Sequence, residues 1–244
     1  MIKVRDLHLS FDGIPVLKGV SLDIYGNEIL VILGSSGQGK TVLIKSIVGL
    51  IKPDSGTILF DDENIFQMSK RRFRDVKKKI AFVFQDNALF DFLSVRENLS
   101  LYLRMHTKLG GNEIEKRIER AMDFVQLEKE TLDRYPEELS GGMEKRVALA
   151  RAIIKEPCYF FYDEPTVGLD EGNVDKVIEL ILKLKPRVCT TAVIVTHDIH
   201  LMRSVADRVI FLKDGDVRFT GPPDKISKDI LHDLYEVGVG HEYK

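Results

Sequence analysis

The sequence predicts an α/β protein: a parallel sheet with helical crossovers, two or three strands ahead of the glycine loop and a helical insertion. Three observations lead there. Short β-rich apolar runs at Tyr159 to Tyr162, Ala192 to Thr196 and Val209 to Leu212 alternate with helical stretches, the pattern of strands joined by crossovers. A glycine-rich loop, Gly34 to Thr41, stands between an apolar strand and a helical run. The stretch from Ser94 to Ile154 is dominated instead by the apolar period of an α-helix.

Taken in order, residues Lys3 to Leu33 show alternating apolar positions broken at Asp12-Gly13 and Gly26-Asn27, which predicts two or three strands before the loop. After the loop, Val42, Leu43, Ile44, Ile47, Val48 and Leu50 recur at helical spacing until Gly49 to Pro53 interrupts. Ser55 to Phe60 and Ile80 to Phe84 read as further strands, with the basic segment from Lys70 to Lys79 between them. The helical insertion is punctuated at Gly110-Gly111-Asn112 and at Pro136.

A length of 244 residues with 44% hydrophobic residues suits one large domain carrying a subdomain. Lys and Arg number 36 against 38 Asp and Glu, a net charge of −2, so the overall positive field that drives non-specific nucleic-acid binding is missing. The two cysteines, Cys158 and Cys189, flank apolar runs and are expected to be small buried hydrophobes in a reducing compartment. The opening MIKVRDLHLSF has charges inside any apolar stretch, so it is not expected to be a signal peptide. Apolar runs such as Ile29 to Leu33 fall far short of the ~20 residues of a membrane-spanning helix.

Gly34 to Thr41 reads GSSGQGKT and matches G-x-x-x-x-G-K-[ST] between a strand and a helix. Glycines let backbone N–H groups close around phosphate oxygens, Lys40 offers a point charge, and the Thr41 hydroxyl can ligate Mg²⁺. The run from Tyr159 ends in Asp163 and Glu164, as expected of a Mg²⁺-holding strand lying beside the P-loop strand. Asp163 would hold the metal shell, and Glu164 would polarise water as general base. His197 follows the apolar run Ala192 to Val195, at the strand end where α/β sheets place ligands. A helix-start or surface histidine would look the same in isolation. Ser140, Gly141, Gly142 and Met143 precede a helix, with Ser140 as its N-cap: a second anion-seeking helix start or a simple capped turn.

In this order, GSSGQGKT, Gln85 after a strand, LSGGMEKR, YFFYDE, Gly168-Leu169-Asp170 and His197 resemble the ATP-binding cassette (ABC) family over nearly the whole chain. The resemblance implies a P-loop NTPase with a RecA-like parallel-sheet core, an N-terminal antiparallel β subdomain and a helical subdomain at about residues 94–154, all within one domain spanning 1–244. It implies ATP and Mg²⁺ as ligands. Gly34, Ser35, Ser36, Gly37, Gln38, Gly39, Lys40 and Thr41 would bind the nucleotide with Gln85, and Phe11, at a position more often tyrosine, would stack on adenine. Thr41, Gln85 and Asp163 would attend the metal; Glu164, His197 and Lys40 would be catalytic. Asp170 would be the D-loop aspartate.

The family also accounts for two phosphate-seeking loops in one chain. Two copies pack head to tail, and Ser140, Gly141, Gly142 and Met143 act in trans as the signature on the partner's nucleotide. Hydrolysis of ATP to ADP and phosphate would then work transmembrane permease subunits and a substrate-binding component, with the chain peripheral on the cytoplasmic side of the cell (inner) membrane and no nucleic acid involved. The signature LSGGM-x-K-R is similar to that of Mla/Mce-type lipid transporter ATPases, which implies a phospholipid or related cargo. A soluble assembly ATPase of the iron–sulfur scaffold type is the alternative of similar size. Val167-Gly168 and Glu171 depart from the family's usual Ser-Ala and proline.

Three features remain. The basic run Ser69 to Lys79 reads as a solvated helix face whose inner side is Phe73 and Val76, with a membrane-surface or nucleic-acid patch as the sharper reading. Leu89, Phe90, Phe92, Leu93 and Val95 lie where family members receive the permease's coupling helix, so some of them are expected to be exposed. The tail, residues 224–244, opens with an amphipathic pattern at Ile226, Ile230, Leu231 and Leu234, and relatives imply a role for it in dimerisation.

Overall fold

Asp12 and Gly13 both have positive φ, 49° and 78°, as a two-residue hairpin loop requires. They join β1 (Ile2–Phe11) to β2 (Ile14–Ile24), and β4 (Ser55–Phe60) pairs with the other edge of β1, so the antiparallel portion is a sheet of order β2-β1-β4-β5, β5 being Glu63–Asn64. The computed structural model describes residues 1–185, 191–227 and 231–232.

The second sheet has the order β10-β9-β3-β8-β7-β6. Its strands are β3 (Ile29–Leu33), β6 (Ile80–Val83), β7 (Tyr159–Asp163), β8 (Thr191–Thr196), β9 (Arg208–Lys213) and β10 (Asp216–Gly221). All pairings from β6 to β9 are parallel, and β10 returns antiparallel on β9. Every residue of β3 is buried, as a parallel strand covered on both faces must be. Leu30 and Ile32 face one core with β1, β2 and helix α1 (Lys40–Ile47); Ile29, Val31 and Leu33 face the other. Helix α1 is shorter than its apolar pattern suggested. Gly49 turns to φ 71°, and Leu50 swings out to 51% exposure.

The helical insertion supplies α3 (Val95–His106), α4 (Gly111–Phe124) and α5 (Gly141–Ile153). Gly110 is the N-cap of α4, and Pro136 starts a 3₁₀ turn ahead of α5, so both sequence breaks mark helix boundaries. Leu99, Leu103, Ile118, Met122 and Val147 from these helices share a core with the β3 face bearing Val31. Helix α6 (Glu171–Leu184) leaves β7, and α7 (Ile199–Val205) leaves β8.

Two expectations need correcting. The strand ending in Asp163 does not lie beside the P-loop strand, because β8 is inserted between β3 and β7. Chain order does not set spatial order in a crossover sheet. Cys158 is only half buried, since it precedes β7 rather than lying within it. Cys189, Ile230 and Leu234 lie outside the described residues, and the proposed tail helix is described only at residues 226–227 and 231–232.

Candidate functional site

The strand order puts three motif-bearing loops side by side. At the C-terminal ends of adjacent strands β3, β8 and β7 follow, respectively, the loop from Gly34, His197, and Asp163 with Glu164. That end of an open parallel sheet is where a ligand crevice forms.

The loop is shaped by what side chains cannot do. Gly39 is the N-cap of α1 with φ 91°, and a Cβ there would meet the Val16 carbonyl oxygen at 3.1 Å. Lacking a side chain, it leaves the first-turn N–H groups of α1 without a side-chain acceptor, a set of donors suited to an anion. Ser36 and Gly37 are exposed at the tip of the loop. The Gln38 side-chain oxygen accepts from the Asp214 N–H, fixing the loop against the turn after β9.

The Lys40 ammonium donates to the carbonyl oxygens of Gly34 and Ser35 at 2.8 and 2.9 Å, and it lies 3.1 Å from Glu164 Oε1. Both charged groups are buried. Glu164 is held at φ 47°, a left-handed conformation that costs a bulky residue about 1 kcal/mol or more. Its N–H donates to the Val195 carbonyl at 3.0 Å, so the strain is locked by pairing with β8. Its second oxygen, Oε2, accepts from the His197 N–H at 3.3 Å and lies 3.0 Å from His197 Nδ1. Lys40, Glu164 and His197 thus form one line, drawn from three elements.

Beside this line the Thr41 hydroxyl donates to Asp163 Oδ1 at 2.6 Å. Burial pushes the Asp163 carboxyl above its ordinary pKa, with the Thr41 hydrogen bond and nearby lysines partly offsetting this. Ionising Asp163 therefore costs stability. The cost is absent below the ordinary carboxylate range and complete once pH exceeds the raised value. In protein stripped of nucleotide and divalent ions, Asp163→Asn is expected to raise the melting temperature more at about pH 7 than at about pH 4 while turnover falls. Calorimetry showing an equal shift at both pH values would refute the assignment.

The other predicted residues stand apart from this line. Phe11 is 47% exposed at the β1–β2 turn. Gln85 is exposed, and its backbone carbonyl accepts from the buried Lys145 of α5 at 2.9 Å. Ser140 caps α5, its hydroxyl accepting from the Met143 N–H at 3.3 Å. Gly141 is open, but a Cβ on Gly142 would lie 2.8 Å from the Asn173 side chain. Asp170 caps α6, accepting from the Asn173 N–H at 3.0 Å and its side-chain amide at 2.7 Å. These bonds hold the Asp170 carboxyl below its ordinary pKa. Asn173 therefore bonds to Asp170 and packs close against Gly142 within one chain.

Sequence reasoning missed three residues, Asn173, Arg151 and Thr166, and saw Lys145 only as part of the signature, without its tie to Gln85. Asn173 had a readable signal, three residues after a capping aspartate. Arg151, which donates to the carbonyls of Asn87 and Ala88 at 2.8 and 2.7 Å, had none. Nor did the Thr166 hydroxyl, which donates to Asp198 Oδ2 at 3.0 Å and ties the loop after Glu164 to the one after His197.

Residues 17–167 match the protein-family model described as ABC transporter. The chain is 35% identical over 221 residues to the probable ribonucleotide transport ATP-binding protein mkl of Mycobacterium leprae, covering 91% of this chain and 63% of that one. It is 37% identical over 214 residues to the intermembrane phospholipid transport system ATP-binding protein MlaF of Escherichia coli K12, covering 88% of this chain and 79% of that one. Among solved structures, the dimeric post-hydrolysis state of the ATP-binding cassette MJ0796 bound to ADP and Pi superposes with a TM-score of 0.84 at 33% identity. That match covers 91% of this chain and 99% of the other.

Proposed function

The chain belongs to the ABC transporter family of ATP-hydrolysing cassettes, and on that premise we propose that it is the subunit whose ATP turnover drives a membrane permease, two copies working together on the cytoplasmic side of the membrane. The observation that carries the chemistry is the line of Lys40, Glu164 and His197. ATP would lay its phosphates against the N–H groups of the Gly34 to Thr41 loop, with the Lys40 ammonium toward the terminal phosphates. Glu164 would take a proton from the attacking water, and His197 would hold that carboxylate in place.

Mg²⁺ suits the oxygens of Thr41 and Asp163. Among the described residues no cluster of three or more His, Cys, Asp or Glu could cage a metal. Two adjacent hard oxygens fit an ion that keeps waters and phosphate oxygens as its other ligands. When bound, it would neutralise charge on the phosphates. Gln85 would attend the same ion from the seam where Lys145 holds its backbone. Phe11, exposed at its turn, is placed to receive a flat base.

The loop from Ser140 to Met143 takes no part in the Lys40 line, which supports its use on a second copy's nucleotide. The dimeric cassettes among the similar structures point the same way. For the permease, the support is an open groove at edge strand β6, lined by Phe82, Phe90, Tyr102, Met105 and His106. Phe90 is 41% exposed there, and Phe92, its ring 5.9 Å from that of Phe90, is 77% exposed. No helix among the described residues is long and apolar enough to cross a membrane.

The LSGGM-x-K-R signature and the phospholipid-transport relative support a lipid cargo. The test is copurification. Detergent-solubilised membranes should yield this chain with a permease and with ATPase activity higher in the complex, and phospholipid should travel with it. Recovery with a soluble assembly partner and no membrane protein would overturn the reading.

A further inference from the structure

Helix α2 (Lys70–Lys78) is the most basic element of the chain. Its packing sorts the cations into two sets. Val76 is buried and Phe73 half buried against the core under the antiparallel sheet, which sets the inner face. Four flanking cations are engaged: Arg72 with Glu63 at 3.0 Å, Lys78 with Asp75 at 3.2 Å, Lys79 with Asp61 at 3.8 Å, and Lys77 over the Phe73 ring at 4.7 Å. Lys70, Arg71 and Arg74 are exposed and have no ion pair with any described residue. At about 100° per residue these three occupy an arc of about 100°, roughly opposite Phe73 and Val76. Three unpaired positive charges on the face away from the core repel one another, an arrangement relieved only by salt or by a negative surface.

Their position matters as much as their charge. Helix α2 packs on the edge strand β6 and joins it through Lys79, with Arg72 held by Glu63 and Phe73 packed against Gly49. Helix α2 and the groove lined by Phe82 and Phe90 therefore both adjoin the edge strand β6.

We infer that the Lys70, Arg71 and Arg74 face of α2 binds the anionic phospholipid surface of the membrane. Each basic residue near such a surface contributes about 1 kcal/mol, and the attraction decays within a Debye length. The contact would hold the subunit against the bilayer beside its permease. It adds to the proposed function without resting on it, because it needs lipid and no permease.

The test uses the intact chain and permease-free vesicles. Sedimentation with vesicles of phosphatidylcholine mixed with phosphatidylglycerol should retain the protein at low salt, and phosphatidylcholine alone should not. Combining Lys70→Gln, Arg71→Gln and Arg74→Gln should weaken retention by about a hundredfold and leave basal ATPase activity intact, which also verifies folding. A control removing the same charge from the helical insertion, Lys108→Gln with Lys116→Gln and Arg120→Gln, should bind as the parent does. Equal loss in both triple variants, retention independent of salt or lipid charge, or tighter retention on duplex DNA than on the anionic vesicles would each overturn the inference.

Discussion

Replacing Glu164 by glutamine is expected to leave ATP binding intact and to lower turnover by about 10²- to 10⁴-fold, the usual contribution of a positioned general base. Glutamine has the size and shape of glutamate. One amide oxygen can still face the Lys40 ammonium, which lies 3.1 Å from Oε1, and the rest of the side chain still reaches His197. The left-handed backbone at φ 47° is unchanged, because the Val195 carbonyl still holds the residue 164 N–H. What disappears is the ability to take a proton. With nucleotide bound and turnover blocked, the variant should accumulate as a dimer with ATP at the interface, measurable by size-exclusion chromatography with light scattering. Single-turnover hydrolysis close to that of the parent would refute Glu164 as the base.

Lys40→Ala should act on binding instead. The ammonium is buried and donates to two loop carbonyls as well as facing Glu164. Losing charge-assisted hydrogen bonds to phosphate at about 1.5–3 kcal/mol predicts nucleotide affinity weaker by about ten- to a hundredfold. A second effect follows from the pair. Removing one partner of a buried ion pair is strongly destabilising, on the order of 3 kcal/mol, because the other charge stays buried. The Lys40→Ala protein should therefore melt lower than the parent even without nucleotide. Glu164→Gln should lower the melting temperature less, since its amide oxygen can still accept from the Lys40 ammonium, which also keeps the Gly34 and Ser35 carbonyls. Titration with a fluorescent ATP analogue and thermal melts of both variants separate the two effects. Unchanged affinity in Lys40→Ala would place the nucleotide elsewhere.

Comparing the two variants shows why the site reads differently in one dimension and in three. The sequence names Lys40 and Glu164 as members of separate motifs with separate duties. Only the fold reveals that they touch, across a sequence separation filled by the whole helical insertion. His197 joins them because β8 is the strand between β3 and β7. Had the strand ending in Asp163 lain next to the P-loop strand, as the sequence suggested, no strand would have brought His197 between them.

Helix α2 makes the same point. Its charges are plain in the sequence, but their division into paired and unpaired sets is not. Glu63 and Asp61, which engage Arg72 and Lys79, come from the strand and turn just before the helix, and nothing in the spacing announces those pairings.

By itself the sequence determined whatever depends on neighbours along the chain. The glycine loop, the cap at Ser140, the hairpin at Asp12 and Gly13 and the breaks at Gly110 and Pro136 are all settled by local backbone geometry, which a few residue types dictate. Apolar period likewise separated the helical insertion from the strands. The tertiary structure decided the rest: strand order, the Lys40, Glu164 and His197 line, the Lys145 tie to Gln85, and the unpaired face of α2. These depend on which distant segments pack together, and packing is governed by the shape and burial of whole elements rather than by any short run of residues.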